Sequence, residues 1–166
     1  MRTLRGLEKA GILTFSEEEL LRLPIQRQVG PAPPIVLNPE QQAAFDTLTA
    51  LLSSGQPEAA LLHGVTGSGK TLVYLRLVQE VLRKGRTAIV LVPEIVLTPQ
   101  MMRKFSAYLG ETVAMLHSSL RMGERYDQWK RIRRGEIRVV LGTRSAIFAP
   151  LKNLGVVILD EEQESS

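Results

Sequence analysis

The chain has 166 residues, 44% of them hydrophobic and 23% charged, enough for one domain with its own core. It contains no cysteine, which excludes disulfides and thiolate metal sites, and no apolar run reaches the length that spans a bilayer. A formal charge of +4 leans mildly toward a polyanionic partner, although a basic surface without such a partner reads the same way.

Residues 1–6 lack the apolar stretch and small-residue cleavage site of a signal peptide, and the composition suits the cytoplasm. Residues 1–22 read as two short helical pieces. Leu4, Leu7 and Ile12 give the first a partial apolar stripe, and Ser16-Glu17-Glu18-Glu19 is a capping box opening a second over 17–23. Pro24, Gly30, Pro31, Pro33 and Pro34 then mark an extended linker. The chain therefore divides into a leader, 1–36, too small to fold alone, and a domain, 37–166.

In the domain the pattern turns regular. Asn38 caps and Pro39 opens a helix with Ala44, Phe45, Leu48 and Leu51 on its apolar face, ended by Gly55 and Pro57. Five strand-like runs follow, at 59–63, 87–92, 112–116, 137–141 and 156–159. Helical patterns at 70–84, 99–109 and 122–134 separate the first four, with Gly85, Gly110 and Gly135 where each helix should stop. Strands alternating with helices predict an α/β domain, and continuous Val/Ile/Leu runs predict a parallel sheet buried on both faces.

The first strand runs into Gly64-Val65-Thr66-Gly67-Ser68-Gly69-Lys70-Thr71, which fits the P-loop pattern G-x-x-x-x-G-K-[ST]. The glycines let successive backbone N–H groups curl toward a phosphate chain, and the helix beginning near Gly69 adds its positive end. Lys70 then reaches the β- and γ-phosphates, and the Thr71 hydroxyl is a Mg²⁺ ligand. A plain Gly/Ser turn is the competing reading, and the strand-then-helix context opposes it.

Parallel strands gather the residues after each strand at one edge, where ligands bind in open α/β sheets. There stand the P-loop, Pro93–Gln100, His117-Ser118-Ser119, Gly142-Thr143-Arg144-Ser145 and Asp160-Glu161-Glu162-Gln163. The run Val156-Val157-Ile158-Leu159-Asp160-Glu161 is a Walker B pattern. Asp160 holds Mg²⁺, mostly through water, and Glu161 is placed to orient or deprotonate the water attacking the γ-phosphate. Gln41 either pairs with the adenine edge or serves the helix cap. Thr98-Pro99 and Thr143-Arg144-Ser145 open helices whose free N–H groups, hydroxyls and guanidinium suit nucleic-acid phosphates, and Thr98 is also an N-cap. Residues 121–138 are rich in arginine. Met122, Tyr126, Trp129 and Ile132–Arg133 share a helical face, which predicts a core Trp129, and the basic face reads as solvated.

Together the P-loop, Leu91-Val92-Pro93-Glu94-Ile95-Val96-Leu97-Thr98-Pro99-Gln100, His117-Ser118, Gly142-Thr143-Arg144-Ser145-Ala146-Ile147-Phe148-Ala149-Pro150 and Asp160-Glu161-Glu162 resemble the PriA family of primosomal replication-restart helicases, in superfamily 2. The resemblance covers 37–166 well, and residues 1–22 resemble the end of that family's winged-helix segment weakly. It implies a P-loop NTPase fold of RecA-like type, a three-layer parallel sheet incomplete at its C-terminal side and preceded by a short helical leader. It implies an ATP-dependent 3′-to-5′ DNA helicase, with Gln41 at the adenine and Thr98, Gln100, His117, Ser118, Thr143, Arg144 and Ser145 along single-stranded or forked DNA. Primosome proteins are the implied partners. A second lobe with an arginine finger and the family's zinc-binding cysteines are expected beyond residue 166, so no zinc is expected in this segment. Gln163 stands where the family usually has His. The rival reading is a stand-alone nucleotide-binding switch or assembly module that does not move along DNA.

Overall fold

A computed structural model describes residues 2–14, 32–65 and 67–160. The expected helix at 17–23, most of the linker, Thr66, Glu161 and Gln163 lie outside those residues. Helix α1 (Arg2–Lys9) is the first of the two helical pieces expected in the leader.

The domain opens with α2 (Pro39–Ser53). Its N-terminus is closed reciprocally: the Asn38 side chain accepts from the Gln41 N–H at 2.8 Å, and the Gln41 side chain accepts from the Asn38 N–H at 3.0 Å. Then come α3 (Lys70–Arg83), β1 (Thr87–Leu91), α4 (Pro99–Leu109), β2 (Val113–Leu116), α5 (Met122–Arg134), β3 (Val139–Gly142), a 3₁₀ turn (Arg144–Phe148) and β4 (Leu154–Leu159). The three glycines expected to stop helices, Gly85, Gly110 and Gly135, have φ of +74°, +69° and +80°, backbone that residues with a Cβ rarely adopt.

The four strands are all parallel, in the order β2-β3-β1-β4. Alternation splits their side chains between two faces. Ala88, Val90, Val113, Val139 and Leu141 join Leu75, Val78, Val81 and Phe105 under α3 and α4. Ala114, Leu116 and Val140 join Ile132, Ile137 and Ala146 under α5 and the 3₁₀ turn. Helix α2 packs on α3. The result is the three-layer α/β arrangement expected of a RecA-like domain. Among the described residues, no helix is long and apolar enough to cross a membrane.

Two expectations fail. Residues 59–63, expected to be the first strand, form no strand, and Leu61 is 82% exposed. A strand exists only where another backbone completes its ladder. Among the described residues β4 is paired with β1 alone, and 60–65 line an open trough whose other wall is 154–160. The second failure is on α5. Its buried residues are Asp127, Gln128 and Ile132, while Met122, Tyr126 and Trp129 face outward. Trp129 is therefore not core. The sheet-facing line runs one position away from the aromatic one, through polar residues that a search for apolar periodicity passes over.

The arginine-rich stretch is only partly a solvated face. Arg138 donates to the carbonyls of Leu82 and Arg86 at 2.7 and 3.1 Å, where α3 ends, and Arg131 pairs with Glu136 at 3.3 Å.

Candidate nucleotide site and the loop edge beside it

The P-loop leads directly into α3. Gly69, at φ +83°, is its N-cap and supplies no side-chain hydrogen bond, so the N–H groups of the first turn point out of the helix toward the loop. A Cβ on Gly69 would collide with the Gln41 amide, and one on Gly64 would lie 2.8 Å from Ser68 Oγ. Side chains therefore pack close against the loop on both sides. Gln41 Nε2 donates to the Ser68 carbonyl at 2.8 Å, tying the start of α2 to the loop. Lys70 Nζ donates to the carbonyls of Gly64 at 2.6 Å and Val65 at 3.2 Å, which places the ammonium over the loop. An ammonium, a run of small residues and an uncapped helix end make a fitting cradle for a polyphosphate.

Asp160 follows β4, and its N–H donates to the Leu91 carbonyl at 2.9 Å, extending the ladder one step beyond the strand. Gly64, Gly67, Gly69, Lys70, Thr71 and Asp160 line one cleft of about 2030 Å³. Thr71 and Asp160 are oxygen donors on its walls of the kind that suits Mg²⁺, a hard cation that keeps most of its water. Glu161 lies outside the described residues.

Sequence reasoning missed Tyr74. It stands one helical turn after Lys70 and is 8% exposed, and its hydroxyl donates to the Asp160 carboxylate. Burial first, then the Asp160 charge and the hydrogen bond, push the phenol from 10 up to about 12. A phenol raised in the folded state favours folding below pH 10, and that contribution is lost as pH rises from 10 through about 12. Thermal melts across that range should fall more steeply for the parent chain than for Tyr74→Phe. Parallel profiles would mean that the contact contributes nothing. The signal was present in the sequence as a polar-tipped aromatic on the same α3 face as Lys70.

The remaining loops are aligned by the same step beyond the strand ends. Val92 N–H donates to the Gly142 carbonyl at 2.9 Å, and Thr143 N–H donates to that of Leu116 at 3.3 Å. Residues after β1, β2, β3 and β4 therefore share one edge, as expected. Thr98 caps α4, accepting from Met101 N–H at 3.2 Å, and Thr98 and Gln100 border the nucleotide cleft. Ser118 and Ser119 both donate to one oxygen of Glu94, the latter at 3.5 Å, so the loops after β1 and β2 are cross-tied. Glu94 was not singled out from sequence; a carboxylate among residues read as phosphate-facing is the signal that was there. The His117 carbonyl accepts from Arg125 at 3.3 Å. Thr143 and Ser145 hydroxyls lie 3.5 Å apart, and Arg144 and Ser145 are exposed at the start of the 3₁₀ turn.

A P-loop leading into a helix, a carboxylate at the end of a neighbouring parallel strand and a shared cleft define a nucleotide-binding α/β domain. The DEAD/DEAH box helicase family model matches residues 38–166, and the chain belongs to that family. It is 51% identical over 165 residues to the replication restart protein PriA of Bacillus subtilis (strain 168), covering 99% of this chain and 20% of that protein. It is 48% identical over 164 residues to PriA of Synechocystis sp. (strain ATCC 27184 / PCC 6803 / Kazusa), covering 99% and 19%. Among solved structures, RecG bound to a three-way DNA junction superposes with a TM-score of 0.70 at 29% identity, over 81% of this chain and 19% of that one. The chain thus spans about a fifth of the length of the PriA proteins it matches.

Proposed function

We propose that this chain is the ATP-binding first lobe of a DNA helicase that unwinds 3′ to 5′ and restarts replication at stalled forks in the cytoplasm. The observation that carries the reading is one sheet edge with the P-loop and Asp160 around a single cleft and the loops after β1, β2 and β3 beside it. Similarity to PriA over 99% of the chain supports the same assignment, and RecG, a structural neighbour, was solved bound to a three-way DNA junction.

Lys70 and the first-turn N–H groups of α3 bind the β- and γ-phosphates. Thr71 and Asp160 would hold Mg²⁺, which would supply neutralising charge to the phosphates. Tyr74 keeps the Asp160 carboxylate aimed into the cleft. Glu161 orients the attacking water or takes its proton. Gln41, at the start of α2 and tied to the loop through Ser68, reads the adenine edge. Thr98, Gln100, His117, Ser118, Thr143, Arg144 and Ser145 form this lobe's share of a track for single-stranded or forked DNA, and primosome proteins are its partners in the longer protein.

A second lobe supplies an arginine to the transition state, a contribution of about 10³–10⁵ in rate. The chain alone should therefore bind ATPγS and turn ATP over slower than an intact helicase by roughly that factor. Nucleotide binding and turnover are measured with and without an oligo(dT) strand. Turnover at ordinary enzymatic rates and indifferent to DNA would replace this reading with a self-sufficient nucleotide switch.

A further inference from the structure

Helix α5 buries Asp127, Gln128 and Ile132 and turns a different line of side chains outward. Met122 is 88% exposed, Tyr126 61% and Trp129 39%. Steps of four and three residues put them in one stripe on one face of the helix. A contiguous run of large apolar groups held in water marks a contact surface.

The flanks of the stripe say what it contacts. Arg121, Arg125 and Arg133 are exposed beside it, and Lys130 Nζ stands 4.7 Å from the Tyr126 ring centre. Glu124 caps the helix by accepting from the Arg121 N–H at 3.0 Å. An apolar protein surface docking here would strip water from the exposed Arg121, Arg125 and Arg133 and offer them no partner. A single-stranded nucleic acid offers π faces for the rings and phosphates for the cations.

The stripe also continues from the loop edge proposed above for that ligand. Arg125 donates to the His117 carbonyl, so the start of α5 is fastened to the loop after β2. From Met122 to Trp129 the helix rises about 10 Å, the length of roughly three stacked bases.

We infer that Met122, Tyr126 and Trp129 form a stacking platform that carries single-stranded DNA from the loop edge onto α5. The inference rests on the proposed function only in taking DNA as the strand on that edge.

Trp129 is the only tryptophan in the chain, so its own fluorescence reports the platform. The chain is titrated with a 20-nucleotide oligo(dT), following tryptophan emission and, in parallel, the anisotropy of the labelled strand. Emission should be quenched in step with the rise in anisotropy. Trp129→Ala and Tyr126→Ala should each weaken binding about tenfold or more. Trp129→Phe should restore most of the loss, and circular dichroism should show all three variants folded. Binding by anisotropy with unchanged Trp129 emission and full affinity in Trp129→Ala would overturn the platform and leave the DNA reading standing. Equal quenching by polyglutamate would overturn it in favour of an acidic protein partner. No binding in either channel would overturn both.

Discussion

Replacing Lys70 with alanine should lower ATPγS affinity about 100-fold or more while leaving the melting temperature nearly unchanged. Both halves follow from where the ammonium sits. Its two hydrogen bonds, to the carbonyls of Gly64 and Val65, stay within one loop and join no two elements of the core. Their loss costs the fold little, because Leu75, Val78 and Val81 anchor α3 independently of the loop. A triphosphate, however, loses the ammonium that stands over the loop. Charge-assisted hydrogen bonds are each worth about 1.5–3 kcal/mol, and 1.4 kcal/mol is a factor of ten in affinity. Isothermal titration of the parent and Lys70→Ala chains gives the comparison. An affinity within threefold of the parent would mean that nucleotide is held elsewhere.

Gly142→Ala should be the most damaging single methyl that can be added to this domain. Gly142 closes β3 and starts the turn carrying Thr143, Arg144 and Ser145. Its missing side chain is the space in which β2 and the 3₁₀ turn meet. A Cβ there would run into the Leu116 backbone carbonyl and stand 2.5 Å from the Ala146 Cβ. Neither neighbour can yield by rotating a side chain. One is backbone at the end of β2, and the other belongs to a fully buried alanine. Relief requires moving β2 from β3 or lifting the 3₁₀ turn off Ile132 and Val140. Overpacking of a well-packed core costs about 1–3 kcal/mol and sometimes more, and a backbone collision belongs at the upper end. For a chain of this size that corresponds to a melting temperature lower by about 10 °C. The control is Gly135→Ala: nothing lies within 4 Å of its added carbon, but φ of +80° makes the backbone strained, so a smaller loss is expected. Equal losses at the two positions would show that strain, not contact, sets the cost.

Most of the frame was legible in the sequence because its signals are local. Asn38-Pro39, Thr98-Pro99, Gly110 and Gly135 mark helix ends through chemistry that acts within four residues, and α4 and α5 have the bounds expected. The P-loop and Asp160 were legible for the same reason, each carried by a short run of fixed residue types. What failed depends on distant partners. Residues 59–63 have the composition of a buried strand, but composition cannot provide the neighbouring backbone that makes one. Trp129 and Tyr126 carry the apolar signal of a core face, yet a single turn of contact around Ile132 fixes the rotation of α5 and sends them outward. Tyr74 and Glu94 acquire meaning only through Asp160 and Ser118, residues 86 and 24 positions away.

The edge of β4 has a practical consequence. Leu154-Gly155-Val156-Val157-Ile158-Leu159 carries no charge and no proline, the two devices that keep strand edges from recruiting other chains. Among the described residues its outer backbone groups have no strand beside them, and Leu159 is 56% exposed. Such a sequence has the composition of an aggregation-prone segment. Handled on its own at high concentration, this lobe is liable to build intermolecular sheet from β4 outward, and a single lysine at position 159 would act as a gatekeeper against it.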